Sequence, residues 1–185
     1  VAILQTQSGT QLKQNYDILS VDTSSIGTQT IINNLKDYVA AGGVILITNG
    51  NVSSNTNFVF NQFGNTGNMV GNGAVSNITA SSTQNLSSVF GNTLGAGIVV
   101  EVTGTAYMNV NVNQLAPGSR VIATYNSSAN RVFMFTSEGV YNGNIVWVVD
   151  ANIFYSPQQI SGNIDNNNER FFHNMIAYLL QKAGL

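Results

Sequence analysis

Residues 28–48 constrain the fold of this chain more than any other stretch. Ile31, Ile32, Leu35, Tyr38 and Val39 recur at the three- and four-residue spacing of one helix face, behind Thr28 or Thr30 as an N-cap. Gly42-Gly43 then stops the helix, because glycine accepts the left-handed backbone that helix C-termini favour. Val44-Ile-Leu-Ile-Thr48 follows at once. It is β-branched, continuous and uncharged, the pattern of a strand buried on both faces of a parallel sheet. Upstream, Tyr16-Asp-Ile-Leu-Ser-Val-Asp22 reads as a strand ending on an aspartate, with a polar turn from Thr23 to Gly27. Strand, helix, paired glycines and strand make a βαβ unit, which commits a chain to α/β layering.

The remaining elements are placed around that unit. Val1-Ala-Ile-Leu4 reads as a short buried strand. Asn57 to Phe63 predicts a short helix anchored by Phe58, Val59 and Phe63, followed by a loop from Gly64 to Gly73. Strands are expected near Ala74–Ile78 and Ile98–Val102. Arg120–Tyr125 and Arg131–Thr136 flank a turn at Asn126–Asn130 and predict a hairpin. Asn144-Ile-Val-Trp-Val-Val-Asp150 is a strongly apolar strand, again ending on aspartate. Asn166-Asn-Asn-Glu169 reads as a capping box for a final helix that carries Phe171, Phe172, Met175, Ile176, Tyr178, Leu179 and Leu180 and ends near Ala183-Gly184. The expected architecture is a three-layer αβα sandwich over residues 1–185, with a mostly parallel, flavodoxin-like sheet and a late β-hairpin. The start at Val1 rather than Met suggests a processed or excised piece of a longer product.

Tyr16-Asp-Ile-Leu-Ser-Val-Asp22 and Leu35-Lys-Asp-Tyr-Val-Ala-Ala-Gly-Gly-Val-Ile-Leu-Ile47 resemble a strand and a helix–Gly-Gly–strand pattern of the class I glutamine amidotransferase-like fold. Asn130-Arg-Val-Phe-Met-Phe135 resembles a later strand of that fold, and Phe171-Phe-His-Asn-Met-Ile-Ala-Tyr-Leu179 its closing helix. About half the chain is covered. The similarity is nearest to branches without amidotransferase activity, such as ThuA-like domains and the amidotransferase-like domains of transport and flagellar-assembly proteins. The family's chemistry needs a Cys on a strand-to-helix elbow, served by a His and an acid. This chain has no cysteine, and Asn49-Gly50-Asn51-Val52-Ser53 after the central strand supplies no Gly-x-Ser-x-Gly substitute. The resemblance therefore implies the scaffold and argues against the reaction.

Composition points the same way. Only 14 of 185 residues are charged, or 8%, against roughly 25% in ordinary soluble domains. Polarity comes from hydroxyls, glycine and 27 asparagines, so the surface depends little on pH or salt. A net charge of −2 with no basic patch excludes nucleic-acid binding driven by counterion release. No apolar run reaches the roughly 20 residues that span a bilayer, so membrane insertion is not expected. With 43% hydrophobic residues the chain still folds around a core. Together these features lead to an expectation of a non-catalytic, extracellular or cell-surface structural or adhesive module of a surface layer, filament or appendage. It would self-associate with its own copies or neighbouring domains and need no cofactor. The alternative is a carbohydrate-binding accessory domain of a secreted enzyme, with glycans as partners, and a third reading is a degenerate hydrolase using Asp22 or Asp150.

Candidate sites follow from strand ends. Ligands of open parallel sheets bind at the C-terminal strand edge. A crevice lined by Asp22, Asn49, Asn51 and Asp150 would suit sugar hydroxyls, although capping of the turn or helix that follows explains each aspartate more simply. Tyr107, Tyr125, Tyr141, Trp147 and Tyr155 could stack on a sugar, with Trp147 more at home in a core. Sequons place candidate glycosylation at Asn51, Asn77, Asn85 and Asn126. Asp165, Asn167 and Glu169 alternate oxygen ligands as calcium loops do, but Arg170 stands where such a loop needs glycine, so helix capping explains them more simply. His173, the single histidine, lies inside the final helix and reads as a residue at the edge of its buried face rather than a catalytic base. The glycines from Gly64 to Gly73 lack the Gly-Lys-Ser/Thr that completes a phosphate cradle.

Overall fold

A computed structural model describes residues 2–50, 54–66, 70–71, 78–82, 99–102, 108–109, 111–125, 132–138, 141, 143–149, 151 and 167–185. The βαβ unit is formed by β1 (Ile18–Asp22), α3 (Gln29–Ala40) and β2 (Val44–Thr48), after two short helices, α1 (Ala2–Thr6) and α2 (Gly9–Asn15). Thr28 is the N-cap of α3, its hydroxyl oxygen accepting the Ile31 N–H at 3.4 Å. At the other end Gly42 takes φ 86°, the Gly43 N–H reaches the Tyr38 carbonyl at 2.9 Å and the Gly42 N–H the Val39 carbonyl at 2.9 Å. That pair of bonds closes the helix in a Schellman turn and sends the chain directly into β2.

The strands are completed by β3 (Val70–Gly71), β4 (Ile78–Ser82), β5 (Val99–Val102), β6 (Met108–Asn109), β7 (Ser119–Tyr125), β8 (Val132–Glu138) and β9 (Asn144–Val148), the helices by α4 (Ser54–Gln62) and α5 (Asn167–Ala183). Among the described residues seven strands form one sheet in the order β1-β2-β9-β8-β7-β4-β5, and β3 pairs with β6 separately. β1, β2 and β9 run parallel, with Ile18 opposite Val44 and Val44 opposite Asn144. From β9 onward the sheet continues antiparallel through β8, β7, β4 and β5. The parallel half therefore carries the βαβ topology, and the predicted hairpin is β7–β8.

Alternation along the central strands builds the three layers. Ile45, Ile47, Ile145, Trp147 and Val149 face one core with residues of α1, α2, α3 and α4. Val44, Leu46, Val146 and Val148 face the other, with Phe171, Met175, Tyr178 and Leu179 of α5. A strand buried on both sides must be apolar at every position, and for that reason β2 and β9 carry no charge.

Two expectations change. The strand expected over Val1–Leu4 gives way to helix from Ala2, Val1 lying outside the described residues: Ala2–Thr6 is helical, Leu4 is buried in the α-layer core, and its carbonyl accepts the Asn34 side-chain N–H of α3 at 2.8 Å. Four apolar residues fit either periodicity, and packing beside α3 decides for helix. The strand expected near Ala74–Ile78 is Ile78–Ser82, residues 74–77 lying outside the described residues.

Candidate functional site

The C-terminal ends of β1 and β2 meet in a network of short polar side chains. Asp22, the last residue of β1, caps the single 3-10 turn Thr23–Ser25. Its Oδ1 accepts the Ser24 N–H at 2.9 Å and the Ser24 hydroxyl at 2.6 Å, and its Oδ2 accepts the Thr48 hydroxyl at 3.1 Å. Asn49, the residue after β2, is only 5% exposed. Its Oδ1 accepts the Thr23 hydroxyl at 2.8 Å and the Thr56 hydroxyl at 2.9 Å, and its Nδ2 donates to the Val149 carbonyl at 3.2 Å. The Asn49 carbonyl accepts the Ala151 N–H at 2.8 Å. Thr23 and Thr56 are themselves buried. Asn49 is thus directed inward and joins β1, α4 and the end of β9, while Asp22 stands half-buried at the rim with both oxygens engaged.

A cleft of about 390 Å³ opens beside this network on the α5 side of the sheet. Ser20, Asp22 and Thr48 form its polar rim, and Leu46, Phe172 and Ile176 its apolar floor and wall. A second cleft, about 250 Å³, runs between β1 and α1. Of the residues foreseen around the strand ends, the structure brings together Asp22 and Asn49, and Asn51 and Asp150 lie outside the described residues. Thr23, Thr48 and Thr56 complete the network and were not foreseen. The signal for Thr48 was its place at the end of β2, but Thr56 lies on α4 and has no local mark.

The other candidates fall as follows. Trp147 is buried, stacked on Phe135 at 5.5 Å, its indole N–H donating to Ser137 Oγ at 3.2 Å. Tyr141 is exposed, set edge-on to Phe63 with the Lys36 ammonium 5.7 Å from its ring centre. Tyr107 and Tyr155 lie outside the described residues, and Tyr125 ends β7. All four sequon asparagines, Asn51, Asn77, Asn85 and Asn126, lie outside them too, as does Asp165. Asn167 opens α5, and Glu169, in its first turn, is buried. His173 is exposed on α5. Among the described residues no three His, Cys, Asp or Glu side chains cluster as a metal site, and no helix is long and apolar enough to cross a membrane.

A second polar centre lies at the opposite end of the strands, level with the start of β9. The Glu138 carboxylate accepts from Arg120 Nη2 at 3.1 Å, Lys182 Nζ at 3.1 Å and the Tyr178 hydroxyl at 2.6 Å. Burial alone would raise its pKa, but the hydrogen bonds from Tyr178 and Lys182 and the charges of Lys182 and Arg120 hold it below the usual glutamate value. Tyr178 responds in the opposite sense: burial, then the bond to Glu138 and its charge, push its hydroxyl well above the ordinary range. Burial likewise raises Tyr38 to about 12, its hydroxyl donating to the Asp17 carbonyl at 2.8 Å. These groups fasten layers together; none presents a base to a nucleophile.

No family model and no curated protein matches the chain. Solved structures do share its fold. Cytoplasmic Protein STM1381 from Salmonella typhimurium LT2 aligns with a TM-score of 0.62 at 14% identity, over 96% of this chain and 78% of that one. A ThuA-like protein from Bacteroides uniformis aligns with a TM-score of 0.51 at 12% identity, over 98% and 72%. A β-galactosidase from Bacillus circulans sp. alkalophilus gives 0.55 at 14% identity over 93% of this chain, but only 23% of the enzyme. The fold is therefore compatible with the glutamine amidotransferase-like, ThuA-like scaffold. The expectation of an extracellular or cell-surface location is corrected by the same comparison: STM1381, and STM3548 from the same species, are described as cytoplasmic proteins. Scarcity of charge sets how a surface responds to salt and pH, and it does not fix a compartment.

Proposed function

We propose that this chain is a non-catalytic, self-associating structural or adhesive module, built on an amidotransferase-like scaffold of the branches without amidotransferase activity. One observation carries the reading: among the described residues, the polar side chains at the strand edge where this topology would hold a ligand are engaged with the protein itself, with the Asn49 amide directed inward and both Asp22 oxygens bonded by Ser24 and Thr48. The sequence adds that no cysteine exists and that its one histidine is the exposed His173. Faces that carry amides and hydroxyls in place of charge approach one another without like-charge repulsion. Sedimentation velocity from micromolar to millimolar concentration tests this, with reversible, concentration-dependent association expected. A chain that stays monomeric throughout overturns it.

A second reading is a carbohydrate-binding accessory domain of a larger enzyme. It draws on the 390 Å³ cleft, which Phe172 lines together with the hydroxyl- and carboxylate-bearing Ser20, Asp22 and Thr48. Aromatic face plus polar rim is the composition of a sugar subsite. Titration calorimetry with neutral oligosaccharides on the wild type and on Phe172→Ala separates the two readings: binding lost in the variant favours the sugar site, and absence of binding leaves the structural module.

A further inference from the structure

We propose that β1 is the self-association surface, and that two copies of this chain pair their β1 strands antiparallel about a two-fold axis at Ser20, joining two sheets into one. This rests on the self-association reading above and names the surface that performs it.

Among the described residues β1 is the last strand of the sheet: β2 occupies one side, and no hydrogen bond reaches the other. The 250 Å³ cleft identifies that free side. It is lined by Leu19, Ser20, Val21 and Asp22 together with Ile3 and Leu4 of α1. Successive side chains of a strand point to opposite faces, so four consecutive residues share one cleft only where it runs along the backbone edge. Among the described residues the edge is therefore open along its length, with an apolar wall beside it, and Ile3 on that wall is 46% exposed.

Proteins that keep sheet edges apart place Lys, Pro, a bulge or a mid-strand charge on them. β5, at the opposite end, has Glu101 within it. β1 has none of these: it reads Ile-Leu-Ser-Val-Asp and its register with β2 is unbroken. Its one charge, Asp22, is at the end, and that selects the partner's orientation. With Ser20 opposite Ser20, Leu19 meets the second copy's Val21, and Asp22 meets its Ile18. A parallel pairing in register would set Asp22 on Asp22, the like-charge contact that destabilises cross-strand pairs. The antiparallel arrangement is self-complementary, so the strand of a second copy satisfies it without any foreign sequence. A two-fold axis normal to the sheet also keeps the α1–α4 layers of both copies on one face and both α5 helices on the other, bringing the two α1 helices, with their exposed Ile3, toward each other across the axis. Such an isologous contact closes at two copies.

Ser20 is exposed, so its substitution tests the surface without disturbing a core. Ser20→Lys and Ser20→Glu each set like charges against each other across the axis, and each is expected to weaken dimerisation roughly tenfold or more in sedimentation velocity. Mixing the two variants restores the dimer. Ser20→Cys, the only cysteine in that variant, is expected to cross-link to itself under mild oxidant. Val112→Cys, 49% exposed and just ahead of β7, is the collision control and is expected not to. Circular dichroism melting confirms that the variants fold. If the wild type associates but both charge variants associate equally well, β1 is the wrong surface and the self-association reading stands. If the wild type remains monomeric at millimolar concentration, that reading falls with this one, and the edge is left to a foreign strand.

Discussion

The side-chain amide of Asn49 touches three separate parts of the fold: Thr23 after β1, Thr56 on α4 and Val149 beyond β9. Replacing it by alanine strips the buried Thr23 and Thr56 hydroxyls and the Val149 carbonyl of a partner at once. Leaving buried polar groups unpaired costs about 1–3 kcal/mol each, partly relieved here because the two threonine hydroxyls lie 3.3 Å apart and can still bond each other. Asn49→Ala is therefore expected to destabilise the fold by about 2–4 kcal/mol in urea unfolding. An unchanged midpoint would instead mean that Asn49 faces solvent, as a ligand-binding role requires. This residue shows what was legible in the sequence and what was not. Its position after an apolar strand marked it as belonging to the C-terminal edge. The direction of its side chain depends on Thr56, which is recruited only when α4 packs against the turn after β1, and no local pattern encodes that contact.

At the scale of elements, the α3–β2–β9 junction is set by two glycines that are needed for different reasons. A Cβ on Gly143 would run into the Val39 carbonyl and side chain and the Gly43 carbonyl, because β9 enters the sheet directly under the turn that ends α3. Gly42 has open space around it but holds φ 86°. Gly143→Ala is expected to cost about 1–3 kcal/mol from overpacking, or more if the strand entry is displaced. Gly42→Ala is expected to cost about 1–2 kcal/mol from backbone strain alone. Chemical denaturation of both variants checks the order, and a Gly143→Ala chain as stable as the wild type would contradict the close approach. The Gly42-Gly43 stop was readable because helical period, glycine and a β-branched run follow one another without interruption. Gly143 was not, since its neighbour Val39 is about a hundred residues away in the sequence. The short helices α1 and α2 were not legible either. Ser8 and Gln11 do form a reciprocal capping box before α2, a signal present in the sequence, but the short apolar run ahead of it gave no period.

Across the whole molecule, six cations and eight acids are all the charge there is, and Glu138 binds two of the six cations. It ties β8 to β7 through Arg120 and to α5 through Lys182 and Tyr178, so the antiparallel half of the sheet and its covering helix meet at one carboxylate. Because the folded state lowers the Glu138 pKa, the folded protein binds this proton less readily than the unfolded chain does. The stabilisation is complete above the unfolded glutamate pKa of about 4.3 and is lost as pH falls through the lower folded value. Unfolding free energy should therefore decline below about pH 4.5, and added salt should reduce the contribution, since Glu138 and its partners are partly exposed. Glu138→Gln keeps an acceptor for Tyr178 but removes the titration. It is expected to be less stable than the wild type at neutral pH and to converge with it in acid. Urea unfolding of the two proteins over that pH range decides the matter: curves that stay a constant distance apart would place the acid sensitivity on another carboxylate. Convergence would show that a chain with so little charge has concentrated part of its pH response in a single joint between layers.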